Sequence, residues 1–270
     1  MKIGYLGPDG TFSQLAAEKV ADGTNYEMVA YSSISELAFA ANSRVISAAV
    51  MPIENSLEGG INTTLDCLAF ECDLTITQEV LLSVSQSLLS NSKTITRIYS
   101  HPQPIGQCQR YLAKNYPGVP ITFTSSTAEA AVIASGEDGA AAIGSEALAE
   151  IYGLEIIENG IEDVSTNTTR FVVAKKDAEA VADADKTSIV FGVADKPGAL
   201  YKMLSVFDIF DINMMKIESR PAKTVLGAYV FFVDINGSSS DENIKKALDI
   251  VKYKATFFKL LGSYKGSNQY

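Results

Sequence analysis

The residues able to do chemistry in this 270-residue chain stand at the ends of short apolar runs. The first run, Lys2 to Leu6, leads into Gly7-Pro8-Asp9-Gly10 and then Thr11-x-x-Gln14. A hydroxyl followed three residues later by Glu or Gln is a capping box, in which each side chain satisfies a backbone donor of the first helical turn. A helix that starts at a strand end behind a glycine turn presents free N–H groups to an anion. Glu54 follows a second apolar strand in Pro52-Ile53-Glu54-Asn55-Ser56, which makes it the carboxylate to watch for proton transfer. The only histidine, His101, lies in Ser100-His101-Pro102-Gln103, and no G-x-S-x-G elbow accompanies it. A nucleophilic triad is therefore not indicated, and His101 reads as a helix cap or loop residue.

Gly4, Gly7 and Gly10 have the spacing G-x-x-G-x-x-G, not the G-x-G-x-x-G of a dinucleotide loop, so no nicotinamide site is expected. Cys67, Cys72 and Cys108 form no C-x-x-C pair and are read as reduced. With a single histidine and no Cys/His cluster, no metal is expected. The formal charge of -10, with scattered Lys and Arg, argues against nucleic-acid binding. An anionic substrate would have to find local cations or backbone donors, which directs attention to Arg44, Arg97, Arg110, Arg170 and Arg220. The opening MKIGYLGPDGTFS lacks the pattern of a signal peptide, and no apolar run is long enough to span a bilayer. A cytoplasmic protein without membrane contact is expected.

Up to about residue 176, strand patterns alternate with helical ones, an α/β rhythm that implies largely parallel sheets covered by helices. The stretch Asp177 to Lys186 is rich in Ala and Asp, lacks periodicity and reads as a linker. Beyond it the order is βαββαβ, the ferredoxin-like order, with a strand expected over Leu226 to Ile235. Leu200, Met203, Leu204 and Phe207 on one helix, and Ile244, Ala247, Leu248 and Val251 on the other, form apolar stripes at i, i+3, i+4, i+7. Both helices should cover one sheet face, leaving the other open to a ligand or a second subunit.

Four segments, in order, resemble the signatures of the prephenate dehydratase family: Gly7-Pro8-Asp9-Gly10-Thr11-Phe12-Ser13, Pro52-Ile53-Glu54-Asn55-Ser56 with Gly59-Gly60, Ser100-His101-Pro102-Gln103, and Asn167-Thr168-Thr169-Arg170-Phe171. Lys196-Pro197-Gly198-Ala199-Leu200, Ile217-Glu218-Ser219-Arg220-Pro221 and Leu261-Gly262-Ser263-Tyr264 resemble the ACT regulatory domain attached to these enzymes.

The resemblance implies a two-lobed catalytic domain over 1–176, like periplasmic binding proteins. Lobe 1 would span about 1–77 plus 165–176 and lobe 2 about 78–164, followed by the 177–186 linker and an ACT domain over 187–270. It implies the conversion of prephenate to phenylpyruvate without a cofactor. Thr169 would act at the leaving hydroxyl with Glu54 as a proton source, and Thr11, Ser13, Asn55, Ser56, Ser100, Gln107, Arg170 and Phe171 would line the site. Arg170 would clamp a substrate carboxylate, and Phe171 would pack beneath. It further implies phenylalanine as effector, held by Gly198, Ala199, Leu200, Asn213, Glu218, Ser219, Arg220 and Pro221 from two subunits of a homodimer or homotetramer. Alternatives are an arogenate dehydratase and a non-catalytic amino-acid sensor or solute-binding protein.

Overall fold

The computed structural model describes residues 1–178, 181–223 and 228–267. The chain opens with β1 (Lys2–Leu6), α1 (Phe12–Ala21), β2 (Glu27–Tyr31), α2 (Ile34–Asn42) and β3 (Ala48–Asn55). Next come the two-residue β4 (Gly59–Gly60), α3 (Asn62–Asp66) running on as a π-helical turn over Cys67–Glu71, and β5 (Thr75–Ser83). A second lobe contributes β6 (Ser87–Leu89), β7 (Arg97–Ser100), α4 (Pro102–Gln107), α5 (Gln109–Asn115) and β8 (Ile121–Phe123). It finishes with α6 (Thr127–Gly136), β9 (Ala140–Gly144), α7 (Ala147–Tyr152) and β10 (Ile156–Asn159). β11 (Thr168–Lys175) then returns to the first sheet. The last unit is β12 (Lys186–Gly192), α8 (Ala199–Ile209), β13 (Met214–Pro221), β14 (Tyr229–Asn236), α9 (Glu242–Lys254) and β15 (Phe257–Tyr264). Leu226, the expected start of the strand seen as β14, and positions 179 and 180 of the expected linker lie outside the described residues.

The first sheet has the order β2-β1-β3-β11-β5, with β4 beside β3; the second, β10-β6-β9-β7-β8. Both are mixed, not largely parallel. β1 to β3 run parallel, but β11 is antiparallel to β3 and β5 because it re-enters from the other lobe. The crossing expected near Gln78 falls after Ser83, since β5 keeps pairing with β11 as far as Ser83 opposite Thr168. β3 is buried along almost its whole length, which suits the unbroken apolar run Ala48 to Ile53 to a central strand.

The third sheet is fully antiparallel, β13-β14-β12-β15. Helices α8 and α9 pack on the face that carries Ile189, Phe191, Val233 and Ile235. α9 buries the four expected residues, whereas α8 is turned slightly and buries Val206 more fully than Leu204. The opposite sheet face is not open. Val190, Val230, Phe232, Leu261 and Tyr264 share one apolar cluster with Leu65, Leu68 and Ile76 of the first lobe, so the alternating strands bury both faces. β15 comes so close to β5 that a Cβ on Gly262 would collide with the Ile76 carbonyl oxygen.

Candidate active site

A cavity of about 360 Å³ opens between the two lobes. From the first lobe it is walled by the Leu6–Ser13 turn and by Asn55, Thr169 and Phe171; from the second by Gln86, His101, Gln103, Gln107, Ser126 and Ser145. The lobes touch at its edge, where the Ser145 hydroxyl donates to the Gly10 carbonyl at 2.6 Å. Gly10 takes φ 83 with Leu148 of the second lobe packed against it, so glycine alone suits both the turn and the contact.

The expected cap forms in modified shape. The Thr11 oxygen accepts from the Gln14 N–H at 3.4 Å, while the Gln14 side chain accepts from the Gly10 N–H instead of reaching Thr11. Ser126 caps α6 from the other lobe, accepting from the Glu129 N–H at 3.0 Å. Two ten-residue helices thus direct their N-termini, Thr11–Ser13 and Ser126–Thr127, at the cavity from opposite lobes. Their first N–H groups have no acceptor within the helix and carry the positive end of its dipole.

Thr169 and Asn55 face one another across the β3–β11 ladder. The Asn55 carbonyl oxygen accepts from the N–H groups of Leu57 and Glu58 at 3.0 and 3.2 Å, which fixes the amide's orientation. Its NH2 end must then point at Thr169 Oγ1, 2.9 Å away, and at Asn167 Oδ1, 2.8 Å away. With its oxygen accepting from Asn55, the Thr169 hydroxyl has its own hydrogen free to donate into the cavity.

Two expected members of the site lie elsewhere. Side chains alternate along a strand, so Thr169 and Phe171 reach the cavity while Arg170 points through the sheet to the opposite face, and Asn55 reaches it while Glu54 does not. Arg170 is buried, donating from Nε to Glu79 at 2.7 Å, from Nη1 to Asp234 at 2.5 Å and from Nη2 to the Tyr264 hydroxyl at 2.6 Å. Burial would lower the guanidinium pKa, but the adjacent carboxylates of Asp234 and Glu79 outweigh it and hold it above the ordinary arginine value. Glu54 pairs with Lys216 at 3.0 Å and with Arg170 at 3.5 Å. Neither is placed to clamp a substrate or to supply its proton.

Ser100 is also outside the wall: its buried hydroxyl donates to the Ile143 carbonyl at 2.7 Å, joining β7 to β9. Ser56 accepts from the Thr168 N–H at 2.9 Å and holds the start of β11. Thr11, Ser13, Asn55, Gln107, Thr169 and Phe171 do converge on the cavity.

A family profile described as prephenate dehydratase matches residues 3–179. The chain belongs to the prephenate dehydratase family. A second profile, the ACT domain, matches residues 187–252. The chain is 41% identical to a bifunctional chorismate mutase/prephenate dehydratase of Aquifex aeolicus, covering 98% of this chain and 73% of that protein. It is 36% identical to the prephenate dehydratase of Bacillus subtilis over 98% of both. The crystal structure of a prephenate dehydratase from Arthrobacter aurescens in complex with L-Phe superposes with a TM-score of 0.91 at 29% identity, covering 98% of this chain and 90% of that one.

Among the described residues that line this family member's cavity there is no Lys, Arg, Asp or Glu. Gln86, Ser126, Thr127 and Ser145 are cavity residues that sequence reasoning did not assign. Ser126-x-x-Glu129 does carry the same capping signature as Thr11-x-x-Gln14, and could have pointed to a second helix start. Gln86 donates to Gln107 at 3.1 Å while its own oxygen has no partner.

In the ACT unit, Gly198 takes φ 76 at the start of α8, and Ala199 and Leu200 line a surface cavity of about 190 Å³ with Tyr229 and Phe231. Of the β13 residues expected beside them, Glu218 and Arg220 turn to the first lobe. Glu218 pairs with Lys216 at 3.1 Å and lies over Gly60, and Arg220 bonds both carboxylate oxygens of Asp66 at 3.0 Å. Ser219 and Pro221, on the alternate face, are exposed, and the Asn213 carbonyl accepts from the Asn236 N–H.

Proposed function

We propose that this protein converts prephenate to phenylpyruvate, carbon dioxide and water in the interlobe cavity, under allosteric control by phenylalanine. The observation that carries the reading is the oriented Asn55–Thr169 pair, which leaves the Thr169 hydroxyl as a donor aimed into a cavity lined, among the described residues, by no Lys, Arg, Asp or Glu. As the departing carboxylate's bonding pair moves into the ring, the ring hydroxyl leaves, and a proton from Thr169 turns it into water; solvent then restores the threonine. Aromatisation supplies the driving force, so orientation and one well-placed donor suffice.

The substrate is a dianion, and the helix N-termini at Thr11–Ser13 and Ser126–Thr127 offer one donor cluster on each lobe. Phe12, Ile34, Ile61 and Phe171 give the apolar wall that leaves the departing carboxylate poorly solvated and favours its loss. The amine of arogenate would meet no carboxylate among the lining residues, which favours prephenate.

Phenylalanine is assigned to the Gly198–Leu200 cavity, completed by Asn213, Ser219 and Pro221 of a second subunit in a homodimer or homotetramer. Glu218 and Arg220 then act by their grip on the first lobe. The cytoplasm is the compartment proposed, consistent with a biosynthetic role and with three free, buried cysteines; burial pushes Cys67 up to about 11 and Cys108 up to about 12.

The test is phenylpyruvate formation from prephenate near neutral pH, without added metal or nicotinamide, with and without phenylalanine. Turnover that phenylalanine alters is expected, and Thr169→Ala should lower kcat by about 100-fold. Turnover on arogenate alone would replace the substrate, and an unimpaired Thr169→Ala variant would remove the central assignment.

A further inference from the structure

Arg170 stands beside Thr169 yet cannot touch anything Thr169 touches. All three nitrogens of its guanidinium are engaged on the far side of the sheet, and two of their partners, Asp234 on β14 and Tyr264 on β15, belong to the ACT unit. Those partners are themselves fixed. The Ser188 hydroxyl donates to Asp234 Oδ1 at 2.5 Å and lies 2.6 Å from the Tyr264 hydroxyl, so Asp234, Ser188 and Tyr264 form a buried cluster within one sheet. Glu79, the third partner, keeps a second cation in Lys186 at 2.9 Å.

The position on β11 matters. The β3–β11 register runs Thr169 with Asn55 and Arg170 with Glu54, then slips, so that Phe171 faces Pro52. A bulge at this point loosens what the ladder can dictate about the neighbouring residue, and Pro52 contributes no N–H to repair it. On its other edge β11 keeps an unbroken ladder to β5 from Thr168 to Val173, so the Arg170 side chain adds its anchor on a strand held firmly from one side only. A buried ionic cluster is poor evidence for added stability, because apolar residues of similar volume serve as well; its distinctive contribution is direction.

We infer that Arg170 is a positioning residue for the dehydration, and that Asp234 and Tyr264 of the ACT unit supply its anchor, so the regulatory sheet sets the placement of the Thr169 hydroxyl. This rests on the reading of Thr169 as the donor to the leaving group. Misplacement of a reacting group by about 1 Å costs on the order of 100-fold in rate, so a small shift at this anchor reaches the chemistry.

The experiment compares kcat and KM for prephenate, per folded full-length protein, in Arg170→Met, Asp234→Leu, the double variant, Arg170→Lys and Tyr264→Phe. The double variant removes one charge of each sign and leaves Glu79 paired with Lys186, and Tyr264→Phe removes only a hydroxyl. These two carry the test if a single charge variant fails to fold. Arg170→Met and Asp234→Leu should each lower kcat by about tenfold or more with KM within about threefold, and together should do no worse than either alone, because one connection is broken twice. Tyr264→Phe should lower kcat less, and Arg170→Lys should recover part of the loss. Wild-type kcat in the double variant and in Tyr264→Phe, or losses that multiply, would overturn the inference. Full turnover in Thr169→Ala would instead overturn the reading of the cavity, and the inference with it; loss there alongside an unimpaired double variant sinks the inference alone.

Discussion

The Asn55 side chain decides what Thr169 can do. With its oxygen held by two backbone N–H groups, only its NH2 end can meet the threonine, and the threonine must donate elsewhere. Asn55→Asp, nearly isosteric, reverses this: a carboxylate oxygen would draw the Thr169 hydrogen to itself and place a negative charge beside a dianion. We expect kcat to fall by roughly 100-fold, as when a donor is removed from an oxyanion site, and KM to rise. Acidification should restore part of the rate, because the introduced carboxyl group, once protonated, can donate again. A pH–rate profile of this variant set against the wild type checks the prediction; a loss of rate that acid does not relieve would argue that the orientation of the amide is immaterial.

At the scale of elements, close approach sets the tolerances. Gly262 lets β15 lie against β5, and a methyl group there meets a backbone oxygen that cannot rotate away. Gly262→Ala should therefore lift β15 off the first lobe at a cost of about 1–3 kcal/mol, seen as a lower melting temperature. Much of this layer was legible beforehand. The α9 stripe, the cap at Thr11 and the βαββαβ order follow from periodicity and hydroxyl spacing, which are local. The convergence of Asn55 and Thr169 followed from family signatures. The errors at Glu54 and Arg170 came from treating neighbours in a motif as neighbours in space, although a strand sends Thr169 and Arg170 to opposite faces. Gln86 and Ser145 had no local signal, because what brings them to the cavity is the folding of one lobe over the other.

For the molecule as a whole, the charge of -10 opposes a dianion at long range, while among the described residues no Lys, Arg, Asp or Glu lines the cavity that receives it. Screening should weaken the repulsion more than it weakens contacts inside the cavity. The expected outcome is a modest rise of kcat/KM for prephenate with added salt up to physiological ionic strength; a steep fall would mean that surface cations steer the substrate.

The placement of β11 also governs how the protein can be made. Among the described residues β5 is hydrogen-bonded in the first sheet only to β11, and the Thr77 hydroxyl and the Val173 carbonyl it bonds are 96 residues apart. A ribosome adding about 10 residues per second leaves β5 without its partner for roughly ten seconds while the second lobe emerges. The nascent first lobe thus waits with β5 and one edge of the apolar β3 unpaired, and the second lobe, continuous in sequence between Ser87 and Asn159, can close before it.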